Sequence, residues 1–252
     1  MQVLYDSVDL NAYPYSLKSN PHHSVADRES FLYDLSRERG GVAVVAEYKP
    51  KSFSFEGMIR GTSYADLDAN IDTFNELMSR QGKNFELDHA GSTRRYLNCF
   101  SRAHVYERGA TDIIYAKFKL DIVCPDGVGF ATAITNQSHD GETGATYNGS
   151  ITITGSAKPR PIITVTLTAK TGTVDSLSFQ LGSEKITLST ALVANDVVVF
   201  NTDSKKVTLN GVEKDYEGIF PEFAIGSNSY IVTINGTTRT YNLDIDYYPT
   251  YL

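Results

Sequence analysis

The 252-residue sequence predicts a mainly β protein in two parts, the first with one packed helix and the second a β-sandwich. Three observations carry that reading. Apolar and polar residues alternate over long stretches, as in Phe53–Glu56 and Ile114–Cys124, the period of a half-buried strand. Leu67, Ile71, Phe74 and Met78 recur instead at helical spacing. Twenty of the 24 threonines lie after residue 124, and Thr suits a pleated, half-buried surface.

The first 41 residues are irregular. Pro14, Pro21, His22, His23 and the charged run Asp34–Arg39, closed by Gly40-Gly41, read as an extended arm or long loop. Val42–Tyr48 is an apolar strand. Phe53 and Phe55 alternate with Ser52, Ser54 and Glu56 in the next. Ser63-Tyr64-Ala65-Asp66 has the hydroxyl-to-acid spacing of a capping box. A helix therefore starts there and runs over about 64–81, with Gly82 as its stop and Asp68, Asp72, Asn75 and Glu76 on its wet face. Strands over about 94–106 and 112–124 follow. Leu97, Cys99, Ala103 and Val105 share one face of the first. Ile114, Ala116, Phe118, Leu120, Ile122 and Cys124 share one face of the second, opposite Lys117, Lys119 and Asp121.

Composition changes near Pro125. Residues 1–124 hold nine of the eleven arginines and a net charge of −2, whereas residues 125–252 carry −5. The segment Pro125-Asp126-Gly127-Val128-Gly129 is turn-rich and ends a strand. A boundary between 125 and 145 follows, with domains at 1–130 and 131–252. Beyond it, Ile151–Thr154, Ile162–Thr168, Leu177 to Leu181 and Val197–Phe200 read as short strands. Lys205–Leu209 runs into Asn210-Gly211, and Asn235-Gly236 separates Tyr230–Ile234 from Tyr241–Ile245. Both dipeptides predict tight hairpin turns. Short strands with regular turns mean a sandwich or jelly roll.

The same sequence bounds function. With 41% hydrophobic and 21% charged residues the chain is globular. No stretch approaches the apolar length of a membrane span, so no membrane insertion is expected. Met1–Asp6 lacks the basic flank and apolar run of a signal peptide. A net charge of −7 argues against nonspecific nucleic-acid binding. Cys99 and Cys124 sit on core faces without CxxC spacing and read as small hydrophobes. His22-His23 has no HExxH context. His139-Asp140-Gly141-Glu142 departs from the calcium-loop pattern and reads as a flexible linker. His104 falls on a wet face. No metal and no cofactor is expected. Neither a nucleophile elbow, nor a phosphate loop, nor a dinucleotide fingerprint occurs, so no catalytic residue is expected. Sugars stack on flat rings, and Tyr230, Tyr241, Tyr247 and Tyr248 are the glycan-facing candidates of a host-surface adhesin. The competing reading makes them half-buried strand residues.

The segment Asp203-Ser204-Lys205-Lys206-Val207-Thr208-Leu209-Asn210-Gly211, followed by Gly218–Asn228 with its Gly218-Ile219-Phe220-Pro221 start and Gly226-Ser227-Asn228 end, resembles the C-terminal signature of the distal tail proteins of siphovirus-type bacteriophages. The ending Tyr247-Tyr248-Pro249-Thr250-Tyr251-Leu252 is similar to the aromatic ending of that family. Phe53–Gly61 with the helix after it, Arg94-Arg95-Tyr96 and Cys124-Pro125-Asp126 resemble its N-terminal domain. The first 35 residues fall outside the resemblance, and Ala224 stands where a larger or Pro-like spacer is usual. The resemblance implies a tail-tube-like β-barrel or sandwich with one packed helix, then a galectin-like jelly roll. It also implies a homohexameric ring at the virion's tail tip, assembled in the host cytoplasm. That ring would join the tail tube protein to the tail-tip hub protein, and its outer domain can hold receptor-binding proteins. DNA would pass through the channel without specific binding. Arg37 and Arg39 are the candidate inter-subunit residues of such a ring, beside Asp34 and Glu38.

Overall fold

The structure, a computed structural model, describes residues 2–18, 28–34, 41–89, 92–110, 114–236 and 238–252. It divides into two compact units, Met1–Thr132 with Leu252, and Ala133–Tyr251.

In the first unit, β1 (Val3–Tyr5), β2 (Val8–Asp9) and β3 (Tyr15–Leu17) precede a hairpin of β4 (Arg28–Asp34) and β5 (Gly41–Tyr48). Then come β6 (Lys51–Gly61), α1 (Tyr64–Ser79), β7 (Lys83–His89), β8 (Ser92–Ala110), β9 (Ile114–Cys124) and β10 (Gly129–Ala131). The main sheet is antiparallel, ordered β2-β1-β7-β8-β9-β6-β3, and β10 pairs with β8. Burial along β6 and β9 alternates as their sequences require, with Phe53, Phe55, Ile59, Phe118, Leu120 and Ile122 inward. Ser63 caps α1 by accepting from the Asp66 amide, and the inward stripe is Leu67, Ile71, Phe74, Leu77 and Met78. That stripe packs against β6, β8 and β9. Phe74 meets Phe118 with ring centroids 4.6 Å apart.

Two expectations fail here. The chain before Gly41 is no plain arm. Val3, Tyr5, Leu10 and Tyr15 are core residues, β1 pairs with β7, and β3 pairs with β6. Short strands of three residues fall below what alternation can reveal. The second failure concerns β8. Asn98 adopts a φ of 52°, and the β7–β8 register shifts between Lys83 and Phe85. Such a bulge reverses which parity faces inward. Tyr96 is therefore buried before it and Cys99 and Ser101 after it, and Leu97 is only half-buried; Ala103 is exposed although it shares the parity of Cys99.

The second unit is a sandwich of two antiparallel sheets. It is built from β11 (Thr135–Glu142), β12 (Thr146–Ile153), β13 (Ile162–Thr171), β14 (Val174–Leu181), β15 (Glu184–Leu192), β16 (Val197–Asn201), β17 (Lys206–Leu209), β18 (Val212–Lys214), β19 (Glu217–Gly218), β20 (Gly226–Asn235) and β21 (Thr238–Tyr247), and β22 (Thr250–Tyr251) follows outside both sheets. One sheet is ordered β11-β21-β13-β16-β17-β18 and the other β12-β20-β14-β15-β19. Inward residues of both, among them Val165, Phe179, Phe200, Val232 and Leu243, share one core. The mainly β fold class with one packed helix is borne out.

Asn210 and Gly211 have φ of 50° and 80° and join β17 to β18, whose pairing Leu209↔Val212 leaves a two-residue loop. Asn235-Gly236 is different. β20 belongs to the five-stranded sheet and β21 to the six-stranded one, so this link crosses the sandwich and makes no hairpin. His139–Glu142 is also no linker, because it lies within β11 and pairs with β21.

Candidate interaction surfaces

At one edge of the sandwich a polar chain ties β11 to β12. The Gln137 side-chain amide donates to the Ser150 carbonyl at 2.9 Å and lies 2.9 Å from His139 Nε2. With Nε2 accepting, the ring proton sits on Nδ1 and faces the Tyr147 hydroxyl at 2.8 Å. Behind it, Tyr230 stacks on Phe179 at 5.4 Å. Gly149 stands opposite Tyr230 in the ladder, and a Cβ there would come 2.3 Å from its ring. Tyr230 can therefore cross β12 only because residue 149 is glycine. Burial pushes the Tyr230 and Tyr241 hydroxyls up, the latter to about 12, and the Glu142 carboxylate adds to both shifts. These phenols stay neutral and shape the core.

Of the four tyrosines named as glycan-facing, Tyr230, Tyr241 and Tyr247 are buried, at 1%, 0% and 2% exposure, and Tyr248 is 43% exposed. The three buried rings offer no face to a sugar. Tyr241, Leu243, Ile245 and Tyr247 alternate inward along β21, a parity visible in the sequence. Tyr247 also bolts the two sheets together, its hydroxyl donating to the Thr152 carbonyl at 3.1 Å. A shallow groove of 520 Å³ crosses the five-stranded sheet, lined by Asn148, Gly149, Ser150, Gly182, Ser229, Tyr230 and Ile231. Its lining holds no carboxylate and no outward-facing ring.

The signature segment has a physical explanation. Asn228, buried within the sandwich, accepts from the Ala224 amide at 2.9 Å and donates to the carbonyls of Ala224 and Gly226 at 2.8 and 2.9 Å. One side chain thus closes the loop between Pro221 and Gly226. Phe220 and Phe223 anchor the same loop in the core, while Tyr216, Ile219 and Ile225 remain exposed. Those three exposed apolar residues are surface candidates that periodicity does not reveal, since they sit in irregular chain.

In the first unit, several arginines already have partners within the chain. Arg80 pairs with Asp6 at 3.1 Å and Glu76 at 3.0 Å, Arg95 with Glu86 at 2.7 Å, and Arg108 with Asp68 at 2.8 Å. The Arg80 guanidinium holds the Asp6 carboxyl below its ordinary range. Arg37, Arg39, His22 and His23 lie outside the described residues. No group of three or more His, Cys, Asp or Glu among the described residues is placed to hold a metal ion.

Residues 154–251 match the family model described as siphovirus-type tail component, C-terminal domain. Among solved structures, the chain is similar to the SPP1 Dit protein, described as a paradigm of the hub adsorption apparatus in phages infecting Gram-positive hosts. That likeness covers 100% of this chain and 99% of the other, at 14% identity and a TM-score of 0.68. A second similarity is to the phage P2 baseplate in its activated conformation with Ca, covering 96% of each chain at 9% identity and a TM-score of 0.42. No curated protein sequence matches. That family match lies within the second unit of the chain. The Asp203–Asn228 residues that carried the resemblance lie inside the matched segment.

Proposed function

We propose that this chain is a ring-forming adaptor at the tip of the phage tail. Six copies associate through the first unit, and the ring joins the tail tube above to the hub below. The second unit faces outward and holds adsorption proteins. The match of residues 154–251 to the tail-component family carries this reading. The likeness in fold to SPP1 Dit, itself described as a paradigm of the hub adsorption apparatus, supports it. The role is assembly, and it asks for no catalytic group.

The first unit suits the ring because it has the long ladders β6–β9 and β8–β9, which hold a rigid sheet without any help from a neighbour. A heterologous contact that closes by rotation needs such a fixed frame. Negative-stain imaging of the purified chain and of virions tests the proposal. Six-fold rings, and the chain's presence in particles, are expected. A strictly monomeric protein missing from purified virions would overturn it.

A further inference from the structure

The two cysteines of the chain are 25 residues apart in sequence, yet their sulfurs lie 3.2 Å from one another in the core of the first unit. Both are free and buried. The ladder brings them together. β8 and β9 pair Phe100 with Val123, and that register carried one step further would set Cys99 opposite Cys124, in line with the contact of their sulfurs. Opposed residues of antiparallel strands have Cα atoms ~4.5 or ~5.5 Å apart. A disulfide spans ~4.4–6.8 Å between Cα atoms. An opposed pair in such a ladder therefore has a backbone spacing that suits a disulfide, and side-chain rotation is the movement that remains.

The surroundings add a charge. β6 pairs Lys51 with Cys124, and Lys51 is buried, its Nζ 5.4 Å from the centroid of the Phe53 ring. A cation beside a thiol favours the thiolate. Against it, the contact with Cys99 and burial push the Cys124 thiol up, which keeps Cys124 protonated at rest. Reaction then needs local opening at the end of the ladder.

We propose that Cys99 and Cys124 are a disulfide-forming pair, closing a covalent bond between β8 and β9 when the protein meets a small-molecule disulfide as oxidant. One cysteine thiolate attacks a sulfur of the oxidant, forming a mixed disulfide and expelling a small thiolate that takes up the released proton. The second cysteine attacks the protein sulfur of that mixed disulfide and expels the other small thiol. Two protein thiols are oxidised to one disulfide while one small disulfide is reduced to two thiols. Sheet register assembles the pair, so no CxxC spacing announces it. The inference stands independently of the tail assignment.

The test uses the full chain, held in oxidised glutathione both folded and during refolding from urea, then alkylated and mapped by mass spectrometry. The expected product has lost both thiols and the mass of two hydrogen atoms. Its Cys99 peptide is linked to its Cys124 peptide, and its urea midpoint is raised until reductant is added. Cys99→Ser and Cys124→Ser each leave one thiol and lose both the link and the midpoint shift. Stable glutathione adducts, cysteine-linked dimers, two free thiols after refolding in the oxidant, or a lowered midpoint on closure would each overturn the proposal.

Discussion

Asn210-Gly211 and Asn235-Gly236 put the same dipeptide into two different structures. At 210–211 both residues adopt positive φ, the two-residue loop that right-twisted hairpins favour. The Asn210 side chain reinforces that turn. It accepts from the Val197 amide at 2.9 Å and donates to Asp196 at 2.8 Å. At 235–236 the chain leaves one sheet for the other, and Asn235 has no positive φ. What holds that crossing is Arg239, buried on β21, whose guanidinium donates to the Ile234 carbonyl at 2.8 Å and to the Gly236 carbonyl. A turn-forming dipeptide thus makes a hairpin where its own side chains and its flanking strands agree. A side chain three residues further along the chain redirects it where they do not.

Breaking the arginine clamp is the largest expected effect. Arg239→Ala strands two carbonyls at the crossing, and charge-assisted hydrogen bonds are each worth ~1.5–3 kcal/mol. A loss of about 3 kcal/mol follows, since the two bonds share one group and do not add fully. Urea unfolding of the full chain reads it. A loss below about 1 kcal/mol would mean that the crossing is held by the strands alone.

A third Asn-Gly, at 148–149, sharpens the comparison, because it lies inside β12 and makes no turn. There glycine serves space. Gly149→Ala places a methyl group 2.3 Å from the Tyr230 ring, which is itself stacked on Phe179. Overpacking of this kind costs ~1–3 kcal/mol, and about 2 is expected. Adding Tyr230→Leu removes the obstacle, so the double variant should lose less than the sum of the two single losses. Strict additivity would show that the methyl group does not meet the ring.

The three Asn-Gly sites also show how far the sequence is legible. Alternation exposed the long elements because one face of each is buried throughout. Phe53 and Phe55 on β6, the run Ala116–Cys124 on β9 and the helical stripe from Leu67 to Met78 all follow from period alone. It failed where a segment's own pattern was outvoted by partners outside it. β1 and β3 are too short to show a period and are held by β7 and β6. The bulge at Asn98 is set by the β7–β8 pairing, and the fate of Asn235-Gly236 by Arg239. The tyrosines of β21 were open to an outward reading only because Tyr suits both a wet face and a core. Parity with Leu243 and Ile245 settles the matter in favour of the core. Exposed Ile219 and Ile225 had no period to reveal them, and the meeting of Cys99 with Cys124 needs the register of β8 on β9.

The smallest expected effect isolates the turn itself. A Cβ added at Gly211 would have no atom within 4 Å, so a substitution there meets no clash. Only the backbone objects, because φ is 80° and a β-branched residue disfavours that region. Gly211→Val should therefore cost roughly 1–2 kcal/mol, the penalty of the left-handed region for an L-residue. That is less than the loss at Arg239, although the turn looks the more obvious feature. The tip is exposed, and neighbouring Asn210 keeps its bonds to Val197 and Asp196. Those bonds leave the β17–β18 hairpin paired in the variant, and the change appears as a shifted urea midpoint with an unchanged slope. An unmoved midpoint would show that the positive φ at 211 is not needed, and the contrast between the two dipeptides would then rest on Asn210 alone.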